Sequence, residues 1–326
     1  MKENHDLKIS HFVYSHSNHS PLAAIICGFE RGGTTLISEI LRQHPGLDSG
    51  FEGGFLLGEK PSDFLSIQPY CNMLKISWGI NHHEMNYICQ AENWLEVYKR
   101  LIEKARNIKE KNIQIFDKTP KYMKHLSTVL SRVKDVPCIV IVRDPRAVLW
   151  SQAKRSKYKS KDKIDKWRQK DMIAQCNHYL SYANGWKTAI EDGLSSRILL
   201  IQYESLCQNP IEETHKIFKF IGCEFDSAYL SLKSKKCQNV YDKKVSAKYV
   251  NEYKFHFSEE ICQEILEKTK AFKAWFWEER GEDKIMTSDT ISSFAIQGTT
   301  PDLQAYQENM ARWKIQLDRI KKQLEK

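Results

Sequence analysis

The stretch LAAIICGFERGGTT, residues 22–35, decides how the chain folds. Leu22–Cys27 is an uninterrupted apolar run of strand length, the pattern of a strand buried on both faces. Gly28 and Gly33 then stand five residues apart, in the G-x-x-x-x-G spacing of an anion-binding loop. Glycines let the backbone curl until successive amides point at one anion. Thr34–His44 has the apolar period of a helix, whose N-terminus adds positive dipole character behind the loop. Arg31 brings a forked cation suited to phosphate or sulfate oxygens. A Walker loop continues with lysine, which reaches the outer phosphates of a nucleoside triphosphate. Thr34 follows Gly33 instead, so a kinase or ATPase is disfavoured. For the loop alone, a purely structural glycine turn is the simpler alternative.

Outward from this stretch, short apolar runs alternate with helical patterns. Ile113–Phe116, Pro137–Val142 and Arg197–Gln202 read as further strands. Trp94–Lys109, Lys121–Val133, Arg146–Lys157, Asp165–Glu191 and Ser258–Glu279 read as helices. Asn209 and Pro210 open another helix, with Asn as cap and Pro at the first helical position. This alternation predicts an α/β fold with a central parallel sheet flanked by helices. Residues 53–95 and 154–185 match no interpretable pattern and are expected to supply acceptor loops; Trp78, His82, His83 and Tyr87 either line such a pocket or fill a core.

The third strand leads into Arg143-Asp-Pro-Arg-Ala-Val-Leu-Trp-Ser151. Pro145 sits where a helix starts, and Ser151 lies about two turns down it. Arg143 at the strand end and Ser151 on the helix can converge on one phosphate; for the Arg-Asp pair alone, a strand end capped by a salt-bridging arginine is the simpler alternative. Tyr203 closes the fourth strand.

Together these segments resemble the sulfotransferases that use 3′-phosphoadenosine 5′-phosphosulfate (PAPS). Their donor loop has the form (Lys/Arg)-x-Gly-(Thr/Ser)-Thr, matched by Arg31, Gly32, Gly33, Thr34 and Thr35. The resemblance implies that this loop holds the 5′-phosphosulfate, that Arg143 and Ser151 hold the 3′-phosphate, and that Tyr203 borders the adenine. Many cytosolic members carry a tryptophan after the loop; this chain has Leu36. The resemblance also places a catalytic lysine at a strand end, matched by Lys118 in Phe116-Asp-Lys-Thr-Pro120. Histidine-base members have a histidine two residues after that lysine, where this chain has Pro120. Glutamate-base members have a glutamate after the first helix, matched by Glu52. Glu52 is therefore the expected base, with His82, His83 and His125 as alternatives. PAPS is the expected donor, 3′-phosphoadenosine 5′-phosphate (PAP) the product, and no metal is required.

The chain has 326 residues, 41% of them hydrophobic and 28% charged, with net charge +9. That balance excludes a disordered chain; the basic surplus is either a solvated surface or a match for a nucleic acid or a small polyanion, and the motifs favour the small polyanion. Nine basic residues crowd Lys154–Lys170, and more follow over Lys233–Lys248, where the family has a segment that closes over the 3′-phosphate. The first run reads as a solvated helix face. Nine scattered cysteines without a C-x-x-C pair argue against a zinc knuckle or a disulfide framework. With no apolar signal core and no membrane-length run, a cytoplasmic enzyme is expected, acting on a small-molecule acceptor, with no nucleic-acid or membrane partner.

The expected organisation is a polar segment over 1–20, the catalytic domain over 21–280, a linker over 281–299 and a terminal helix over 300–326. In that helix Leu303, Tyr306, Met310, Trp313, Leu317, Ile320 and Leu324 form a heptad seam. The seam either docks on its own domain or joins a second copy of the chain in a homo-oligomer.

Overall fold

The computed structural model describes residues 20–108, 110–111, 113–156, 158, 160–233 and 244–272. The linker and heptad helix expected beyond residue 280 lie outside the described residues, as does most of the first segment.

Five parallel strands form one sheet: β1 (Leu22–Gly28), β2 (Leu47–Asp48), β3 (Gln114–Lys118), β4 (Cys138–Val142) and β5 (Ile198–Gln202). Their spatial order is β2-β3-β1-β4-β5, with β1 in the centre between β3 and β4. In β4 the two-residue period of a strand sends Cys138, Val140 and Val142 to one face and Ile139 and Ile141 to the other. Both faces are covered, so the run is apolar throughout, as a central parallel strand must be. Each fully buried Ile or Val contributes roughly 1.5–3 kcal/mol. Two apolar layers of unequal size result.

The smaller layer is closed by α1 (Thr34–Leu41), through Ile37, Ile40 and Leu41. The larger takes α2 (Tyr70–Trp78), α3 (His82–Cys89), α4 (Trp94–Lys104), α5 (Leu126–Arg132), α6 (Pro145–Arg155), α7 (Lys161–Lys170) and α8 (Met172–Glu191). Next along the chain, α9 (Tyr203–Gln208) and α10 (Pro210–Phe220) return to the smaller layer, and α11 (Glu259–Lys268) joins the larger one.

Several boundaries differ from the sequence reading. β2 has two residues, too few to show a period. Lys121–Val133 begins as a 3₁₀ turn, Pro120–His125, and becomes α-helical only at Leu126. The long pattern from Asp165 divides at Asp171 into α7 and α8, a break that leaves Trp167 fully buried with its Nε1 donating to Gln175 Oε1 at 3.1 Å. Asn209 caps α10 by position but makes no side-chain capping bond. β3 runs to Lys118, so Asp117 and Lys118 belong to the strand itself.

Candidate active site

In an open parallel sheet, ligands gather beyond the carboxyl ends of the strands where the order reverses. Here that edge joins Gly28, Lys118, Val142 and Gln202, and the loops that follow carry the chemistry-bearing residues.

The loop after β1 is pinned from below by Phe29, whose buried ring stacks on Tyr179 with centroids 3.8 Å apart. Arg31 takes a left-handed backbone (φ 68°), and Gly33, at φ 110°, caps α1. A Cβ on Gly33 would lie 2.5 Å from the Tyr203 ring, so the close approach requires glycine. Arg31 Nε donates to Ser151 Oγ at 3.1 Å. The expected 5′ loop and the expected 3′ serine are thus in direct contact, with Arg31 bridging them.

Arg143 follows β4 and is 7% exposed. Its guanidinium lies 4.1 Å from the centroid of the Tyr203 ring. One terminal nitrogen donates to the Arg31 carbonyl at 3.1 Å and the other to the Tyr249 carbonyl at 2.6 Å. Its Nε is buried and has no hydrogen-bond partner among the described residues. Asp144 caps α6 by accepting from the Arg146 amide at 2.8 Å, while its own amide donates to Glu204 at 3.1 Å. Burial pushes the Glu204 carboxyl up. Tyr203 stands under the guanidinium, and burial pushes its phenol up too.

Lys118 Nζ lies 3.4 Å from Glu52 Oε1 and 4.5 Å from the centroid of the Phe51 ring. Lys118 is 2% exposed and Glu52 8%. Burial raises the Glu52 carboxyl above its usual range, and the Lys118 charge opposes that rise. A carboxylate paired to an ammonium in a desolvated site can take a proton and keep a cation beside it.

What holds Glu52 there escaped the sequence reading. Asp117, one residue before Lys118, is 2% exposed. Its carboxylate accepts from the Tyr98 and Tyr122 hydroxyls, each at 2.7 Å, from Thr119 Oγ1 at 2.8 Å, and from the Gly53 amide. Thr119 Oγ1 in turn accepts from the Gly54 amide at 2.9 Å, and Tyr122 Oη from the Leu56 amide at 3.1 Å. Three amides just after Glu52 are therefore stitched to the strand that carries Lys118. A Cβ on Gly53 would meet the Asp117 carboxylate at 2.6 Å. On the other side, Trp78 Nε1 donates to the Phe51 carbonyl at 3.2 Å. Trp78 is 2% exposed and so belongs to the core, whereas His82, His83 and His125 are exposed.

Two residues of the basic run over Lys154–Lys170, Lys154 and Arg168, are tied into ion pairs, while Lys163, Lys166 and Lys170 are exposed on α7. Lys154 pairs with Glu252 at 2.7 Å, and Arg168 with Glu260 and Glu264 at 2.8 and 2.7 Å. Of the second run, residues 234–243 lie outside the described residues. The end of the run passes into the turn Ala247–Tyr249, which delivers the Tyr249 carbonyl to Arg143.

The sequence model described as "Sulfotransferase family" matches residues 23–227, from β1 past α10. Among curated proteins, none matches the chain. Among solved structures, it is similar to the sulfotransferase domain of the olefin synthase from Synechococcus PCC 7002, with TM-score 0.51 and 20% identity over 79% of this chain and 96% of that one. The sulfotransferase domain of the curacin biosynthetic pathway follows with TM-score 0.48 and 16% identity, covering 78% and 99% of the two chains. A sulfotransferase from Alicyclobacillus acidocaldarius gives TM-score 0.44 and 14% identity, covering 78% and 93%. With the matched segment spanning the whole sheet and every strand-end residue described above, the chain belongs to the sulfotransferase family.

Proposed function

We propose that the chain transfers a sulfuryl group from PAPS to a hydroxyl or amine of a small metabolite or natural product, in the cytoplasm, by the glutamate-base route. The observation that carries the donor assignment is Arg143. A buried guanidinium with an unpartnered Nε, leaning on an aromatic ring and reaching the carbonyl of the 5′ loop, fits a second phosphate beside the first. The crowding at Gly33 supports the same reading, because the missing Cβ lets the loop pack against the Tyr203 ring on which the Arg143 guanidinium leans.

In this reading the amides of Gly32, Gly33, Thr34 and Thr35 and the Arg31 side chain hold the 5′ end. Arg143 and Ser151 hold the 3′-phosphate, and Tyr203 flanks the base. PAPS supplies the activated sulfuryl group. Sulfuryl transfer resembles phosphoryl transfer through a loose transition state, so the protein contributes mainly position and charge neutralisation. Lys118 neutralises the negative charge that builds on the leaving phosphate. Glu52 takes the proton of the acceptor hydroxyl, and the neighbouring ammonium keeps it ionised until it does. Among the described residues no helix is long and apolar enough to cross a membrane.

The test is calorimetry with PAP against magnesium ATP, followed by an acceptor screen with labelled PAPS. Binding of PAP but not of magnesium ATP, with label passing to an acceptor, is the expected result. Preference for ATP would sink the donor assignment.

A further inference from the structure

The loop after β1 presents three consecutive side chains in three directions. Phe29 goes down into the core against Tyr179, and Arg31 goes to Ser151 on the donor side. Glu30, between them, turns to α8. Its Oε1 accepts from the Tyr182 hydroxyl at 3.0 Å, and its Oε2 lies 3.8 Å from His178 Nε2. The His178 and Tyr182 rings meet edge to face with centroids 5.1 Å apart, and the Lys124 ammonium lies 5.7 Å from the Tyr182 centroid. Tyr182 is 1% exposed, while the Glu30 and His178 side chains are 37% and 35% exposed. The cluster therefore has a buried hydroxyl as its base and two accessible polar heads.

A carboxylate inside an anion-binding loop is a cost, since it repels the ligand the loop is built for. Burial alone would raise the Glu30 carboxyl, but His178, Tyr182 and Arg155 outweigh it and hold it at about 2. These partners favour the ionised carboxylate, and its charge reaches Glu52. A carboxylate offers about four lone-pair sites, of which Tyr182 takes one. The donor's proposed contacts lie on the Arg31 side of the loop. In-line transfer brings the acceptor from the side opposite the leaving phosphate. Glu30 is the loop residue that turns to Tyr182 and His178 while Arg31 turns to Ser151, and it is near enough to Glu52 for its charge to raise that carboxyl.

Resting on the proposed sulfuryl transfer, we propose that Glu30, supported by Tyr182 and His178, is an acceptor-recognition residue that takes a second hydrogen-bond-donating group of the acceptor, a hydroxyl or an ammonium, beside the hydroxyl that receives sulfate. The preferred acceptors are polyols or amino alcohols, and monohydroxy compounds are poor ones.

A matched series tests this with labelled PAPS: cyclohexanol, the 1,2- and 1,4-cyclohexanediols, and 2- and 4-aminocyclohexanol. Each carries the same reacting hydroxyl. The expected result is kcat/KM at least about tenfold higher for one diol or amino alcohol than for cyclohexanol, the effect of one charge-assisted hydrogen bond. Glu30→Gln is expected to erase the amino-alcohol advantage and His178→Gln to reduce it. Ratios within one protein cancel any general loss of activity, so a partly damaged variant still reports. An advantage confined to amino alcohols identifies the ammonium, and an equal one for diols identifies the hydroxyl. Cyclohexanol turned over as well as every other member, or an advantage that survives Glu30→Gln, overturns the proposal. Failure of the wild-type protein to bind PAP in calorimetry would instead overturn the donor reading beneath it.

Discussion

Lys118 at the end of β3 and Glu52 in the loop after β2, brought to 3.4 Å, form a buried ion pair whose acid is pushed up by desolvation and held down by its partner. That arrangement carries the first prediction. Glu52→Gln is expected to lower turnover on a hydroxyl acceptor by roughly 10²–10⁴-fold if Glu52 takes the acceptor's proton, and Lys118→Ala to lower it also. Because only ionised Glu52 accepts a proton, activity should rise with pH through the raised carboxyl value. The acid limb of kcat/KM should lie above the ordinary 4.5 and vanish in Glu52→Gln. A limb at the ordinary value, or a Gln variant with near-normal turnover, would move the base elsewhere.

The donor site gives the second. Arg143 presents a fork with one buried N–H that has no partner among the described residues, and lysine cannot reproduce that fork. PAP is expected to bind far more tightly than adenosine 5′-phosphate. Arg143→Lys should weaken PAP by roughly 10–100-fold, the worth of one or two charge-assisted hydrogen bonds, while leaving adenosine 5′-phosphate little changed. Ser151→Ala should act in the same direction, more weakly. Titration calorimetry with both nucleotides reads the ratio, and equal affinities in the wild-type protein would remove the 3′-phosphate from the assignment.

The strand-end segments were legible in the sequence because each carries its own punctuation. A run such as Leu22–Cys27 followed by Gly28 and Gly33, or Val142 followed by Arg143 and Pro145, marks a strand, a loop and a helix start within a dozen residues. The hidden part consists of contacts that no spacing rule connects. Arg31 meets Ser151 across 120 positions, and Tyr182 meets Glu30 across 152. Asp117 collects Tyr98 from 19 positions away, and its partner Thr119 collects the Gly54 amide from 65. In sequence Asp117 is one polar residue next to a more conspicuous lysine, and only the closed sheet edge makes it the anchor of the Glu52 loop. Residues 53–95 stayed unreadable because much of the stretch is short helices and 3₁₀ turns, too brief for a period to repeat.

That anchor carries the third prediction. Tyr122→Phe strands the Leu56 amide and removes a donor from Asp117, each a buried polar group whose loss costs about 1–3 kcal/mol. The melting temperature should fall. Turnover should fall further than stability alone explains, because the loop carrying Glu52 is no longer stitched to β3, while PAP affinity holds. For Asp117 the sign with pH is set by burial, which raises its carboxyl above the ordinary 3.8. Its contribution to stability is then full below that value and falls as pH rises through the raised one. Urea melts of Asp117→Asn across that range should lack this slope. An Asn variant with the same pH dependence as wild type would show that Asp117 is not the titrating group.

Gly33 allows the sharpest separation of backbone strain from site geometry. At φ 110° any side chain is strained, and its Cβ would also stand 2.5 Å from Tyr203 and 3.0 Å from Ile141 Cδ1. Gly193, after α8, has φ 77° but nothing within 4 Å of a Cβ. Both alanine variants incur the left-handed backbone cost of about 1 kcal/mol. Gly33→Ala alone must also push the Tyr203 ring, and with it the guanidinium of Arg143 that lies 4.1 Å from that ring. Thermal melts should therefore show a loss in both variants, larger for Gly33→Ala, whereas PAP affinity should drop at least about tenfold in Gly33→Ala, the scale of one lost charge-assisted hydrogen bond, and stay at the wild-type value in Gly193→Ala. If Gly33→Ala binds PAP as the wild type does, the packing of Tyr203 against this glycine does not shape the donor site.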